Sequence, residues 1–257
     1  MNKRLCSVFA VACTLALTAL CASAQTPEVK EKPRMYTYVA FWTIPRAQWA
    51  DEAKQIAAEE KTLEKGISDG QIVAYGNDQN LIHQNDGTTH DVWYSAMSMA
   101  GLLNLLDQIY KSGLPTSPVN VSATRHSDGM FVSRYYNWHS GSWKGLYSYT
   151  SMYQLKADAP DNAVDLLSKN LVVPLMEKML ADGTIHEYEI DTEAIHTEAP
   201  GAFWISYIAA NSEGPDKVNA AIRDSLKANP LDGRAFASMV DPNPHRDYLS
   251  RTDATYK

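Results

Sequence analysis

Leu63-Glu64-Lys65-Gly66-Ile67-Ser68-Asp69-Gly70-Gln71-Ile72 and Met176-Glu177-Lys178-Met179-Leu180-Ala181-Asp182-Gly183-Thr184-Ile185 are two versions of one segment. Glu64, Lys65, Asp69, Gly70 and Ile72 recur 113 positions later as Glu177, Lys178, Asp182, Gly183 and Ile185. The register continues through Tyr75 and Tyr188, then Ile82-His83 and Ile195-His196. After a two-residue gap, Trp93 and Ser95 match Trp204 and Ser206. Upstream, Tyr36 and Tyr38 match Tyr147 and Tyr149 at a spacing of 111. Self-similarity at a fixed offset means one structural unit used twice.

The first unit reads outward from this segment. Met35 to Trp42 is rich in aromatic and β-branched residues and predicts a strand. Its alternation sets Tyr36, Tyr38, Ala40 and Trp42 on one face and Met35, Thr37, Val39 and Phe41 on the other, and both faces read as covered. Pro45 suits a helix first turn, and Trp49, Ala53, Ile56 and Leu63 follow at near-helical spacing. Gln71–Gln84 and Thr89–Met97 predict strands joined by a two-residue turn at Asp86-Gly87. Ser98 is a plausible N-cap for a helix carrying Leu102, Leu105, Leu106 and Ile109, and Val119–Trp138 holds a last strand or two.

The second unit gives the same order. Leu146–Leu155 reads as a strand, and Val164, Leu167, Leu171, Leu175 and Met179 mark a helix kinked at Pro174. Thr184–His196 and Ala202–Ala209 are strands around a Pro200-Gly201 turn. Pro215 opens a helix, and Ala235–Val240 and Tyr248–Arg251 are the expected closing strands.

Strand–helix–strand–strand–helix–strand, twice, is the split βαβ or ferredoxin-like pattern. The expected fold class is α+β: tandem ferredoxin-like units over 35–140 and 146–251, with residues 252–257 a tail. Each unit's sheet has one bare face, so the two antiparallel sheets are expected to pack face to face. In this order and repetition, from Met35 to Arg251, the chain resembles the dimeric α/β-barrel superfamily with two protomers fused into one chain. The resemblance implies a monomer with an internal pseudo-two-fold axis. It also implies kinship with metal-free monooxygenases and haem-degrading proteins, whose shared architecture serves different chemistries.

The N-terminus reads as a secretory signal over residues 1–24. Lys3 and Arg4 precede an apolar run from Leu5 to Leu20, and Ala22-Ser23-Ala24 offers small residues before Gln25. A periplasmic or secreted location is expected, with residues 25–34 a polar tether and Leu20 too bulky for a lipidated Cys21. Cys6, Cys13 and Cys21 all lie in the signal, so the mature chain would have no disulfide, thiol nucleophile or thiolate ligand. Losing Lys3 and Arg4 takes 23 basic residues to 21 against 30 acidic ones, a net charge of −9. That balance argues against nucleic acid or an anionic membrane as partner.

For function, the sequence offers candidates and no signature motif. Tyr36, Tyr38, Trp42, Tyr75 and Trp93, with Tyr147, Tyr149, Tyr153, Tyr188 and Trp204, could line a pocket for a small apolar or aromatic ligand. The same strand-period aromatics also describe a packed core. His83 and His196 hold equivalent positions and are the candidate acid–base groups. His83 and His90, opposite each other if the Asp86-Gly87 turn forms, are a candidate metal pair lacking a third ligand. Glu187 and Glu189 share a strand face, as paired carboxylates or as exposed acids. No cofactor is predicted, with haem the alternative. A small-molecule binding protein and a cofactor-independent monooxygenase-like or haem-related enzyme both remain open.

Overall fold

The computed structural model describes residues 29–83, 87–198 and 200–257. Nine strands form one sheet: β1 Met35–Thr43, β2 Ala74–Asn80, β3 His90–Ala96, β4 Arg125–Trp138, β5 Ser142–Trp143, β6 Tyr147–Leu155, β7 Ile185–Ile195, β8 Ala202–Ala209 and β9 Val240–Tyr256. Neighbours run in the order β2-β3-β1-β4-β7-β8-β6-β9, and β9 pairs back onto β2, with Tyr256 opposite Tyr75 and Ser250 opposite Asn80. All eight long strands therefore close into a barrel, leaving only the two-residue β5 outside it. Closure removes every long free strand edge.

The expected face-to-face stacking of two sheets is corrected here. The two halves join edge to edge, through β4–β7 and β2–β9. The long strands make this geometry: β4 and β9 extend beyond their partners in their own half, and their outer ends pair across. Residues 252–257, expected to be a tail, belong to β9 and its buried end Lys257.

Helices cover the barrel's outside. The first half carries α1 Trp49–Ser68, α2 Met99–Ser112 and the short α3 Pro118–Ser122. Ser98 Oγ accepts from Gly101 N at 3.1 Å and caps α2, which ends at Gly113 with φ 82°. The apolar stripe Leu63, Leu102, Leu105 and Ile109 packs on Tyr38, Ala40, Tyr75, Val92 and Tyr94. That cluster is the outward face of β1–β3.

The second half carries α4 Ala163–Leu167, a wide π turn at Ser168–Val172, α5 Val173–Ala181, α6 Gly214–Ala228 and α7 Pro230–Met239. The expected kink at Pro174 takes the form of that wide turn. Proline has no N–H to donate, and its ring crowds the preceding turn; an extra residue there relieves both. The predicted strand at Ala235–Val240 is helical up to Met239, because Phe236 and Met239 pack one turn apart on Leu167, Phe203 and Val240. The order of elements thus recurs from β1–β4 to β6–β9.

Candidate functional site in the barrel

Period-two alternation decides what faces the barrel interior. On β1 the inward residues are Thr37, Val39, Phe41 and Thr43; on β7 they are Glu187, Glu189, Asp191 and Glu193; on β8 they are Trp204, Ser206 and Ile208. Together with Asp78, Trp93, Phe131, Tyr248 and Lys257 they line a cavity of about 450 Å³. The exposed lining residues Arg125, Ser127, Thr197, Glu198 and Arg246 form its rim.

The floor is acidic and buried. Asp78, Glu187, Glu189 and Asp191 are 3%, 5%, 6% and 7% exposed. Lys257 enters among them: its Nζ lies 2.9 Å from Glu187 Oε2 and also bonds Glu189 Oε1. The same ammonium sits over two indole rings, 4.6 Å from the centre of Trp93 and 5.4 Å from that of Trp138. Trp93 Nε1 donates to Asp78 Oδ2 at 3.1 Å, while Asp78 Oδ1 accepts no hydrogen bond. Ser133 Oγ donates to Asp191 Oδ1. Gly76 lets the Trp93 indole lie this close, since a Cβ there would meet Trp93 Cε2 at 2.4 Å.

One lysine cannot compensate this many carboxyls in a low-dielectric enclosure. Burial pushes Asp78 up to about 7, opposed by the Trp93 hydrogen bond and reinforced by Asp253. Burial pushes Glu187 to about 7 against the pull of Lys257, and Asp191 to about 8 with help from Glu189. Burial and the neighbouring Asp78 also raise Asp91. Burial disfavours the Lys257 charge, yet Glu187 and Glu189 outweigh it and hold its proton more tightly than usual. Near neutral pH, the floor therefore combines an ammonium with carboxylic acids that retain protons.

Beside the acids lies an apolar wall. Met152, Ala202 and Trp204 pack with Phe131 and Tyr248 inside the barrel, and Phe131 meets Trp204 edge-on at 4.8 Å. Asp191 pairs directly across the β7–β8 ladder from Trp204, so acid and indole adjoin.

Of the ten aromatic candidates from the sequence, only Trp93 and Trp204 line this cavity. Tyr36, Tyr38, Trp42 and Tyr75 belong to the outer layer under α1 and α2. Tyr38 Oη donates to Asp128 Oδ1 at 2.5 Å, and Trp42 stacks on His126 at 3.7 Å. Tyr147, Tyr149 and Tyr153 alternate on β6 in the outward phase, where Tyr149 stacks on Tyr207 and Tyr153 on Phe203. Tyr188 points outward to Glu177, its Oη donating at 2.6 Å.

The histidine candidates lie elsewhere. His83 is exposed, edge-on to Trp49 at 6.1 Å, and His196 is 81% exposed beside Glu193. His83 and His90 are not partners across the ladder, because His90 pairs with Gln79 and the strands part after Asn80; both instead meet the Trp49 ring edge-on, His90 at 5.4 Å. Thr89 holds that end to β1, its N donating to Trp42 O at 2.8 Å and its Oγ1 accepting from Ile44 N. The predicted turn falls partly on residues 84–86, outside the described residues. His90 is buried against Thr89 Oγ1 at 3.0 Å, and burial lowers it to about 4. Among the described residues no three His, Cys, Asp or Glu side chains are arranged to hold a metal ion.

Asp78 and Asp191 belong to no motif in the sequence, and the alternation of Glu187 and Glu189 fits paired carboxylates and exposed acids alike. A signal was present: the 113-residue offset that pairs Tyr75 with Tyr188 also pairs Asp78 with Asp191.

The barrel matches solved structures along nearly its whole length. A monooxygenase-like protein from Lactobacillus acidophilus superposes with a TM-score of 0.64 at 12% identity, over 87% of this chain and 96% of that one. A second, from Fusobacterium nucleatum, gives 0.63 at 7% identity over 88% and 95%. The chain has the dimeric α/β-barrel fold. An anthrone oxidase-like protein shares this fold at a TM-score of 0.55 and 11% identity, over 89% of this chain and 95% of that one. At these identities the likeness is one of fold. The sequence matches no protein-family model and no curated protein.

Proposed function

We propose that the protein binds a small organic ligand inside its barrel. The observation that carries this reading is the cavity of about 450 Å³, within the range of about 300–1,000 Å³ that holds small ligands, with polar groups converging beside an apolar wall. Ligand binding is read from the melting temperature and the quenching of Trp93 and Trp204 emission across a library of aromatic and amphiphilic compounds. If no compound shifts either signal, and protein purified from its own host carries no small molecule by native mass spectrometry, the reading fails.

A second reading is cofactor-independent oxygenation. It draws on the names of the monooxygenase-like and anthrone oxidase-like neighbours, and on acids whose retained protons suit them to donate to a substrate oxygen. Oxidising anthrone would place one oxygen atom of O₂ at the ring methylene as a carbonyl and release the other as water. Oxygen uptake with anthrone, faster in wild type than in Asp191→Asn, supports this reading; equal rates remove it.

The residues do not fit haem. His126, the histidine of the barrel lining, is at the rim, stacked on Trp42 and 3.0 Å from Asp128. The acidic floor opposes anionic propionates. A second cavity, under α1 and α2 and lined by His90 and His126, holds only about 50 Å³.

The recurrent element order and the 113-residue offset support descent from one duplicated unit, with residues 35–140 and 146–251 as its copies and a monomer as the working form. Light scattering that gives a dimer mass would remove the monomer. We also propose export after removal of residues 1–24. N-terminal sequencing that starts elsewhere than Gln25 would refute that cleavage.

A further inference from the structure

We infer that the barrel binds an amphiphilic organic cation, a protonated amine on an aryl or alkyl body. The inference rests on the barrel being a ligand site and names the chemical class of the ligand. Charge is the first argument. Asp78, Glu187, Glu189 and Asp191 are all more than nine-tenths buried, and among the described residues the one cation between them is Lys257. Lys257 pairs directly with Glu187 and Glu189 and acts on Asp78 and Asp191 only from a distance, so a further positive charge placed there meets a carboxyl with no ion pair of its own.

The second argument is a free acceptor. Asp78 is 3% exposed and lines the cavity, and its Oδ1 accepts no hydrogen bond. Leaving a buried carboxyl oxygen unmatched is costly; Oδ1 is itself covered, so a turn of the Asp78 carboxyl towards the cavity brings it to an ammonium donor that offsets that cost.

The third is a precedent within the chain. The Lys257 ammonium already shows how the site holds a cation: two carboxylates from β7 and the faces of Trp93 and Trp138. The fourth is shape. The apolar wall of Phe131, Met152, Trp204 and Tyr248 adjoins Asp191 through the Asp191–Trp204 pairing. A ligand with a cationic end and an apolar body satisfies both surfaces at once; an amphiphilic anion satisfies the wall and is opposed by the floor.

The test uses isothermal titration of the full mature protein with three probes that share a phenylethyl body and differ in the end group: 2-phenylethylamine, 2-phenylethanol and 3-phenylpropionate. The amine is expected to bind at least about tenfold more tightly than the alcohol, and the acid not at all. Amine binding should release protons, seen as different heats in phosphate and Tris at pH 7.5, because the cation favours ionised carboxyls. Asp78→Asn should weaken the amine about tenfold and leave the alcohol unchanged. Asp191→Asn gives the same comparison should Asp78→Asn not fold. Alcohol bound as tightly as amine, or amine affinity unchanged in both variants, overturns this inference and leaves the barrel a ligand site. A barrel that binds none of the probes and no compound of the wider library overturns both readings.

Discussion

Lys257 Nζ lies 2.9 Å from Glu187 Oε2, joining the residue that follows β9 to the strand that carries the densest run of buried acids. Lys257 is 3% exposed and Glu187 5%, so both groups are buried from bulk solvent. Removing the lysine while keeping the acids leaves buried carboxylates without a cation. Lys257→Met should cost about 3–5 kcal/mol at pH 8. At pH 5 the loss should be smaller, since Glu187 then takes up a proton instead. Urea unfolding at the two pH values measures this, and equal losses would contradict it.

Stability should fall as pH rises from about 5 to 8. Asp78, Glu187 and Asp191 have folded-state values raised to about 7, 7 and 8. Between the ordinary carboxyl range near 4 and these values, the folded chain binds protons that the unfolded chain has released. Stability therefore declines across that window, and is level below it. Burial raises Glu52 and Glu59 to about 7 as well, which acts in the same direction. Each kcal/mol lost should lower the melting temperature by about 2–4 °C. The Asp78→Asn, Asp191→Asn double variant should melt with a flatter pH profile; an unchanged slope would place the protons elsewhere.

Gly76 should tolerate no side chain. A Cβ there would come within 2.4 Å of the Trp93 indole, which in turn lies under the Lys257 ammonium. Gly76→Ala should cost about 1–3 kcal/mol through this clash. In a Trp93→Leu background the same substitution should cost much less. Additive costs in a double-mutant cycle would show that the indole is not the obstacle.

Outer and inner aromatics should part company. Tyr38→Phe and Tyr188→Phe each remove a hydrogen bond to a carboxylate, from Asp128 and Glu177 respectively. Each should lower stability by about 1.5–3 kcal/mol and leave ligand binding in the barrel unchanged. Trp204→Ala should weaken that binding, because it removes part of the apolar wall. The same ligand titration on all three variants checks this, and a loss confined to the tyrosine variants would move the site to the outer layer.

The sequence disclosed the strand and helix order because each element carries its own local period. Tyr36, Tyr38, Ala40 and Trp42 alternate on one face of β1, and Leu102, Leu105 and Ile109 form one stripe of α2. Which face of β1 looks into the barrel was not legible. Both faces carry apolar or amphipathic residues, so pattern alone cannot choose between helix side and barrel side. The choice put the large tyrosines under the helices and the smaller Thr37 and Val39 inside, where space for a cavity remains.

The acids misled for a related reason. Glu187, Glu189 and Asp191 alternate with His186, Tyr188 and Ile190, which is the signature of a half-exposed strand. Nothing local announces that a lysine 66 residues beyond Asp191 will return to meet them. Closure of the barrel brings Lys257 there, and closure is a long-range event set by pairing of β9 with β2. The segment expected as a tail is the one that completes both the barrel and its charge balance.

The central claim is that the barrel interior holds more carboxyls than cations. Carbon-13 carboxyl NMR of Asp78, Glu187 and Asp191, titrated from pH 4 to 9, tests it most directly. Midpoints near 7 for Asp78 and Glu187 and near 8 for Asp191 are the predicted result. Midpoints near 4 for all three, the value of carboxyls in water, would contradict it.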